Sequence, residues 1–212
     1  VVIILLGPPG SGKGTQTAIL SKALSLPSLS TSAILAEVIK NGEDLGRELK
    51  SYMSSGRLVP SSLVNEMMAT TLAKIEYSSG CILDGYPRNI DQAEFLDMRF
   101  PQLTPQVVYF DISYDALVDR VRGRFVCASC GAIYNKFAFN TKIEGVCDAC
   151  DSKDFTIRDD DALEVLQKRW EVYISETKPL LEYYKNKRSL LSIDATLEKT
   201  VITNNLLERL KL

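Results

Sequence analysis

Six apolar residues, Val1 to Leu6, run directly into Gly7-Pro8-Pro9-Gly10-Ser11-Gly12-Lys13-Gly14-Thr15. A short continuous apolar run closed by glycine predicts a strand covered on both faces, so the glycines fall where that strand turns into a helix starting at about Thr15. Such a turn lets successive backbone N–H groups converge on a polyphosphate. Lys13 adds a positive charge on a long stem, and the helix aims its positive dipole end at the same point. An ordinary glycine-rich turn requires none of these features together, so the predicted ligand is a triphosphate. Gly14 occupies the place after the lysine where the commonest phosphate loops carry a Ser or Thr for Mg²⁺, and Thr15 comes one residue later, which argues against a direct hydroxyl–metal contact.

The rest of the chain narrows the class. With 212 residues it can bury one substantial core carrying insertions. A formal net charge of -2 argues against holding nucleic acid by bulk electrostatics, so any anion site must be local. No apolar run approaches the ~20 residues of a membrane span, and the expectation is a soluble, cytoplasmic chain. Histidine is absent. The chemistry therefore runs without imidazole, which phosphoryl transfer tolerates because its catalysis is mostly positioning and charge neutralisation.

Further apolar runs at Cys81–Leu83, Val107–Phe110 and Leu190–Ile193, with a weaker one at Leu26–Leu29, alternate with helical patterns. That alternation predicts an α/β fold built on a parallel, doubly wound sheet. A helix carrying Leu163, Leu166, Trp170 and Tyr173 is expected to end or kink before Pro179. Residues of about 30–59 and 122–160 break the alternation. The first reads as a small helical insertion, the second as a module rich in cysteine and turn residues.

Within the second insertion, Cys127-Ala-Ser-Cys130-Gly131 and Cys147-Asp-Ala-Cys150 form two C-x₂-C pairs separated by sixteen residues. Each pair makes a knuckle presenting two thiolates, and together they predict a closed four-sulfur zinc site with no vacant position for catalysis. Disulfides are the competing reading, disfavoured in a reducing compartment. Tyr134, Phe137 and Phe139 between the knuckles are expected to fill the core of a module too small to fold without its metal, since the segment has too little positive charge for a phosphate backbone.

Asp84-Gly85-Tyr86-Pro87-Arg88 follows a predicted strand, which places Asp84 and Arg88 at the carboxyl edge of the sheet where the phosphate loop also opens. Arg120 and Arg124, spaced i, i+4, face the same way at the entry to the cysteine module; Arg158 leaves it, and Arg169 lies on the following helix. Any one of these arginines alone would read as a solvated surface residue. As a set beside a phosphate loop, they suit a reaction that gathers two anionic nucleotides against their mutual repulsion. Asp159-Asp160-Asp161 reads as helix N-capping and compensation of the neighbouring arginines.

These motifs, in this order and over essentially the whole chain, resemble the long-form adenylate kinases with a zinc-binding lid. The phosphate loop closing on Gly14-Thr15-Gln16, Asp84 to Arg88 with Gln92 after it, the Arg120/Arg124 pair, the four cysteines, and Arg158 with Arg169 carry the likeness. The resemblance implies a P-loop fold with a five-stranded parallel sheet. Its core would be residues 1–29, 60–121 and 161–212, its monophosphate-binding domain 30–59 and its lid 122–160. It implies transfer of the γ-phosphoryl group of ATP to AMP with Mg²⁺, by a monomer acting on small molecules without nucleic acid or membrane partners.

The same resemblance implies residue roles. Gly10, Ser11, Gly12, Lys13, Gly14 and Thr15 would hold ATP, Lys13 neutralising charge as the γ-phosphoryl group moves. Arg120 would support the ATP phosphates. Arg124, Arg158 and Arg169 would line the transfer path, and Asp84 would orient Mg²⁺ through water. Ile133 and Tyr134 would cover the ATP ring, with backbone near Leu197 meeting its adenine. Arg88 would grip the AMP phosphate, while Thr31, Arg57, Leu58, Val59, Gly85, Tyr86, Pro87 and Gln92 would surround AMP. One departure concerns Ser30-Thr31-Ser32-Ala33-Ile34-Leu35-Ala36: where the family carries a second arginine for the AMP phosphate, this chain has Ala36. Lys40, one helical turn on, is the expected partial replacement. An altered acceptor, or a nucleotide-binding protein with weak transfer, is the alternative this departure raises.

Overall fold

The computed structural model describes residues 1–40, 44–138, 140–187 and 190–210, the side chains of Ile75 and Asp159 excepted. In chain order, β1 (Val2–Leu6) leads to α1 (Lys13–Leu24), and β2 (Ser28–Ser30) to α2 (Thr31–Lys40), α3 (Asp44–Ser54) and α4 (Ser61–Leu72). Then come β3 (Cys81–Asp84), α5 (Ile90–Arg99), β4 (Gln106–Asp111) and α6 (Tyr114–Arg122). The cysteine segment holds β5 (Arg124–Cys127), β6 (Ile133–Asn135) and β7 (Phe155–Thr156), and the chain closes with α7 (Leu163–Val172), α8 (Pro179–Lys187), β8 (Leu190–Asp194) and α9 (Lys199–Arg209).

The five-stranded sheet is parallel throughout, in the order β2-β3-β1-β4-β8. Its centre confirms what continuous apolar runs require: all five residues of β1 are buried. Val2, Ile4 and Leu6 join Cys81, Leu83 and Val107 in one core cluster, while Ile3 and Leu5 join Ile82, Val108 and Phe110 in the other. Successive side chains along a strand thus feed opposite helical layers. The chain leaves β1 for β2 and β3 on one side and returns to β4 and β8 on the other, so the carboxyl ends of β1 and β4 border the crevice where such sheets bind ligands.

The two irregular segments resolve differently. Residues 30–59 contribute α2 and α3, packed on each other. The cysteine segment forms a three-stranded antiparallel sheet, β6-β5-β7. Its small core uses Tyr134 as expected, packed with Phe125 and Phe155 at ring separations of 5.3–5.8 Å. Phe137 does not join it: that ring is 72% exposed, beneath the Lys136 ammonium. Phe139 lies outside the described residues. The helix expected to end or kink before Pro179 does so: α7 stops at Val172, a π turn, Tyr173–Thr177, follows it, and α8 begins at Pro179, so the proline stands in the first turn after that bulge.

Leu83 is fully buried at the middle of the sheet, so Leu83→Ala should lower unfolding free energy by about 2–5 kcal/mol. Chemical denaturation checks this, and a loss below about 1 kcal/mol would contradict the interior place given to β3 beside β1.

Candidate functional site

The turn between β1 and α1 is pressed against α6. Gly10 has φ +89°, and a methyl group there would lie 2.9 Å from both Leu117 Cδ1 and Val121 Cγ2, so only glycine fits. Lys13 folds back over this turn, its Nζ donating to the carbonyls of Gly7 and Pro8, each at 2.8 Å. Burial draws the Lys13 pKa down from 10.5 to about 8; Asp84 opposes that shift, and Arg88, Arg169 and Arg124 reinforce it. Gln16, on the first turns of α1, donates to the Lys199 carbonyl at 3.0 Å and accepts from Thr203 at 2.9 Å, tying the phosphate loop's helix to α9.

The carboxyl end of β3 supplies Asp84 and the loop to Arg88. Tyr86 is buried beneath the loop and donates to Asn65 Oδ1 at 2.8 Å. Arg88 is fixed through its backbone from two directions, its N–H donating to Gln92 Oε1 at 2.7 Å and its carbonyl accepting from Thr177 Oγ1 at 2.7 Å. Its Nε donates to the Gly85 carbonyl at 2.8 Å, which leaves the guanidinium's outer nitrogens aimed past Thr31 and Ser32. Gly85 has φ +78°, and a Cβ there would stand 2.8 Å from Arg88 Nη2, so the close approach of guanidinium to backbone needs this glycine.

The remaining arginines are held by acids and carbonyls. Arg120 Nη1 donates to the Ser11 carbonyl at 2.9 Å and its other arm to the Ala195 carbonyl, so it clamps the phosphate loop to the loop after β8. Arg124 forms a bidentate pair with Asp161, whose carboxylate is almost wholly buried. Asp160 takes both Arg158, at 2.9 and 2.7 Å, and Arg169, at 2.5 Å. Burial alone would raise the Asp160 pKa, but Arg169 and Arg158 hold it below the usual carboxylate range. Of the two roles expected of the acidic run, N-capping does not appear, since Ala162 caps α7 without a side-chain bond, whereas compensation of the arginines does, through Asp160 and Asp161.

These groups surround one cavity of about 1350 Å³ and a smaller one of about 80 Å³ that share a rim. The larger is lined by Gly10, Ser11, Gly12, Lys13, Gly14, Thr15, Arg120, Arg124, Ile133, Tyr134 and Leu197, and by Asp84. The smaller is lined by Thr31, Arg57, Leu58, Val59, Gly85, Arg88, Gln92, Arg158 and Arg169. Pro87 borders the larger cavity, and Tyr86 is buried under the loop that borders both. Ala36 and Lys40 are exposed on α2, and neither lines either of these two cavities. Thr177 and Tyr173 are site residues that the sequence did not reveal; both border the larger cavity, and Tyr173 hydrogen-bonds to Tyr109 at 3.1 Å. Neither carries a local signal, because their positions follow from the π turn.

At the cysteines, the Sγ atoms of Cys127, Cys130, Cys147 and Cys150 all lie within 4.8 Å of one another, with Cys127–Cys150 at 3.6 Å and Cys130–Cys147 at 3.5 Å. Metal–sulfur bonds of ~2.3 Å in a tetrahedron give sulfur–sulfur edges of roughly 3.8 Å, so four thiolates at these separations could hold a metal ion. The Tyr134 hydroxyl accepts from the Asp148 N–H at 2.8 Å, which leaves its proton directed to Cys147 Sγ at 3.3 Å. Among the described residues, no helix is long and apolar enough to cross a membrane.

Comparison with known proteins agrees with this geometry. The family model for adenylate kinase matches residues 5–189. The adenylate kinases of Rickettsia rickettsii (strain Sheila Smith) and Rickettsia prowazekii (strain Madrid E) are similar at 38% and 39% identity over 212 residues, covering all of both chains. The adenylate kinase of Clostridium tetani (strain Massachusetts / E88) is 43% identical over 207 residues, covering 96% of this chain and 95% of that protein.

The depressed Lys13 pKa has a directional consequence. Between pH 8 and 10.5 the unfolded chain holds a proton at this residue that the folded, unliganded protein has released, so its burial penalty is present below pH 8 and fades as pH rises through that window. A bound polyanion favours the ammonium, so affinity for inorganic triphosphate should fall as pH rises above about 8, approaching about tenfold per pH unit. Calorimetric titration from about pH 7 to about pH 9.5 checks this, and a flat Kd would contradict the role of the buried ammonium.

Proposed function

The chain belongs to the adenylate kinase family, and from that premise we infer that it is an ATP:AMP phosphotransferase and propose how its side chains divide the work. The reaction moves the γ-phosphoryl group of ATP to a phosphate oxygen of AMP: the bond from Pγ to the β,γ-bridging oxygen breaks, a bond from Pγ to the AMP phosphate forms, and two ADP result. The observation that carries the assignment is the shared rim of the two cavities, where Arg88, Arg158 and Arg169 belong to both. A donor phosphate in the larger cavity and an acceptor phosphate in the smaller would meet among these cations.

In this reading the turn from Gly10 to Thr15 cradles the ATP phosphates with backbone N–H groups, and Lys13 exchanges its loop carbonyls for phosphate oxygens. Arg88 grips the AMP phosphate. Arg124, Arg158 and Arg169 follow the charge as it moves across the equatorial oxygens, the phosphates taking the place of Asp160 and Asp161 as their partners. Arg120 acts by clamping the phosphate loop, and Ile133, Tyr134 and the backbone near Leu197 enclose the nucleoside of ATP. Thr31, Arg57, Leu58, Val59, Gly85 and Gln92 surround AMP.

For Mg²⁺ the donor set fits a hydrated ion. Asp84 Oδ2 lies 3.5 Å from the place a Cβ of Gly14 would occupy, so the carboxylate faces the loop across a residue with no side chain to reach a metal directly. Bound there with ATP, Mg²⁺ would neutralise phosphate charge, and Asp84 would orient its waters. The four cysteines fit zinc in a closed structural site that stabilises residues 122–160 as a lid. We take 30–59 as the monophosphate-binding domain and the remaining segments as a core over which both insertions close, in a cytoplasmic monomer.

Three outcomes are expected. Assayed with ATP and Mg²⁺ against AMP, CMP, UMP and GMP, the protein should phosphorylate AMP best; preference for another acceptor would refute the adenylate assignment. Lys13→Met should reduce kcat by at least about a hundredfold with a smaller change in KM, because its charge is used mainly in the transition state. A near-normal kcat would remove Lys13 from the catalytic group. Protein purified without chelator should contain about one zinc per chain, and replacing Cys147 and Cys150 together by serine should lower Tm while leaving turnover at low temperature. Metal analysis without zinc would overturn the zinc assignment.

A further inference from the structure

Ser32 stands in the first turn of α2, on the rim common to the two cavities. Its Oγ lies 3.4 Å from Arg88 Nη2, and Thr31 Oγ1 lies at the same distance from that nitrogen. The two hydroxyls differ in what they have left to give. Thr31 spends its proton on the Gly85 carbonyl at 2.9 Å. Ser32 accepts from Arg88, and a hydroxyl that accepts retains its own proton for another partner.

The other cations lining the smaller cavity are engaged elsewhere. Arg158 and Arg169 both hold Asp160, and Arg57 lies over the Tyr52 ring with its Nε on Ser55. Ala36 and Lys40, where a second guanidinium or its substitute was expected, do not line the cavity. Arg88 is therefore the guanidinium best placed for an acceptor phosphate, and the hydroxyl beside it is the nearest donor with a proton to offer.

We propose that Ser32 is an acceptor-binding residue of this enzyme: its hydroxyl donates to a phosphate oxygen of AMP while Arg88 holds the same phosphate. This rests on reading the smaller cavity as the AMP side of an adenylate kinase. A neutral donor thereby does part of the work that a second arginine would do, so the acceptor site depends less on charge and more on the placement of one exposed side chain. Because a neutral contact is less screened than an ion pair, KM for AMP should also respond less to salt than in a chain with a second arginine.

The test uses the full chain with saturating ATP and Mg²⁺ and varied AMP. Ser32→Ala should raise KM for AMP about three- to tenfold, with kcat, KM for ATP and Tm nearly unchanged, and Ser32→Thr should restore the wild-type value. Ala36→Arg should lower KM for AMP, make it more salt-dependent, and shrink the effect of Ser32→Ala to less than about twofold, because the new guanidinium takes over the oxygen. Should Ser32→Ala leave KM for AMP unchanged, or depress kcat and Tm instead, the proposal is overturned while the adenylate kinase reading stands. Failure of the wild type itself to phosphorylate AMP would overturn that reading and the proposal with it.

Discussion

Like charges crowded into one crevice are the constraint around which this protein is arranged. Lys13, Arg88, Arg124, Arg158 and Arg169 all reach the same cavity, and their repulsion must be met by the protein itself. Three devices meet it. Asp161 and Asp160 take Arg124, Arg158 and Arg169 as bidentate or shared partners. Backbone carbonyls of the phosphate loop take Lys13. Desolvation lowers the proton affinity of Lys13 itself. The first two devices put an oxygen against Lys13, Arg124, Arg158 and Arg169 as a phosphate would, so under the proposed function substrate binding would exchange one set of oxygens for another and need no new charge to be created.

The sheet was legible in the chain because its strands are buried on both faces and write themselves as unbroken apolar runs. Cys81, Ile82 and Leu83 each fall into one of the two core clusters, as such a run demands. The phosphate loop, the Asp84 to Arg88 loop and the paired cysteines were legible for a similar reason: each is local, and its chemistry is complete within a few residues. Most of the residues whose roles drew on the family resemblance line one of the two cavities, whereas Ala36, Lys40 and Tyr86 line neither.

What escaped was non-local. Thr177 holds the Arg88 carbonyl across 89 positions of the chain, and nothing around Pro179 announces it. For Asp160 and Asp161 the compensation of neighbouring arginines was legible but the N-capping was not realised, because local capping preference gave way to the stronger attraction of the guanidinium groups, Arg124 among them from 37 positions away. Phe137 shows the same limit from the other side: an aromatic ring inside a small module need not belong to its core.

The π turn between α7 and α8 bears on changes of chain length. A π turn is an α-helix that has absorbed one extra residue, and each residue removed from a helix rotates the downstream turns by roughly 100°. Asp161 and Arg169 lie before this turn, whereas Thr177 and Tyr184 lie at or beyond it. A single-residue deletion there would leave the upstream arginine aimed at the crevice while swinging Thr177 off the Arg88 carbonyl and the fully buried Tyr184 out of the core, or the reverse. By this geometry the stretch should bear substitution more easily than deletion, because a change of residue leaves the register of the helix in place and a change of length does not.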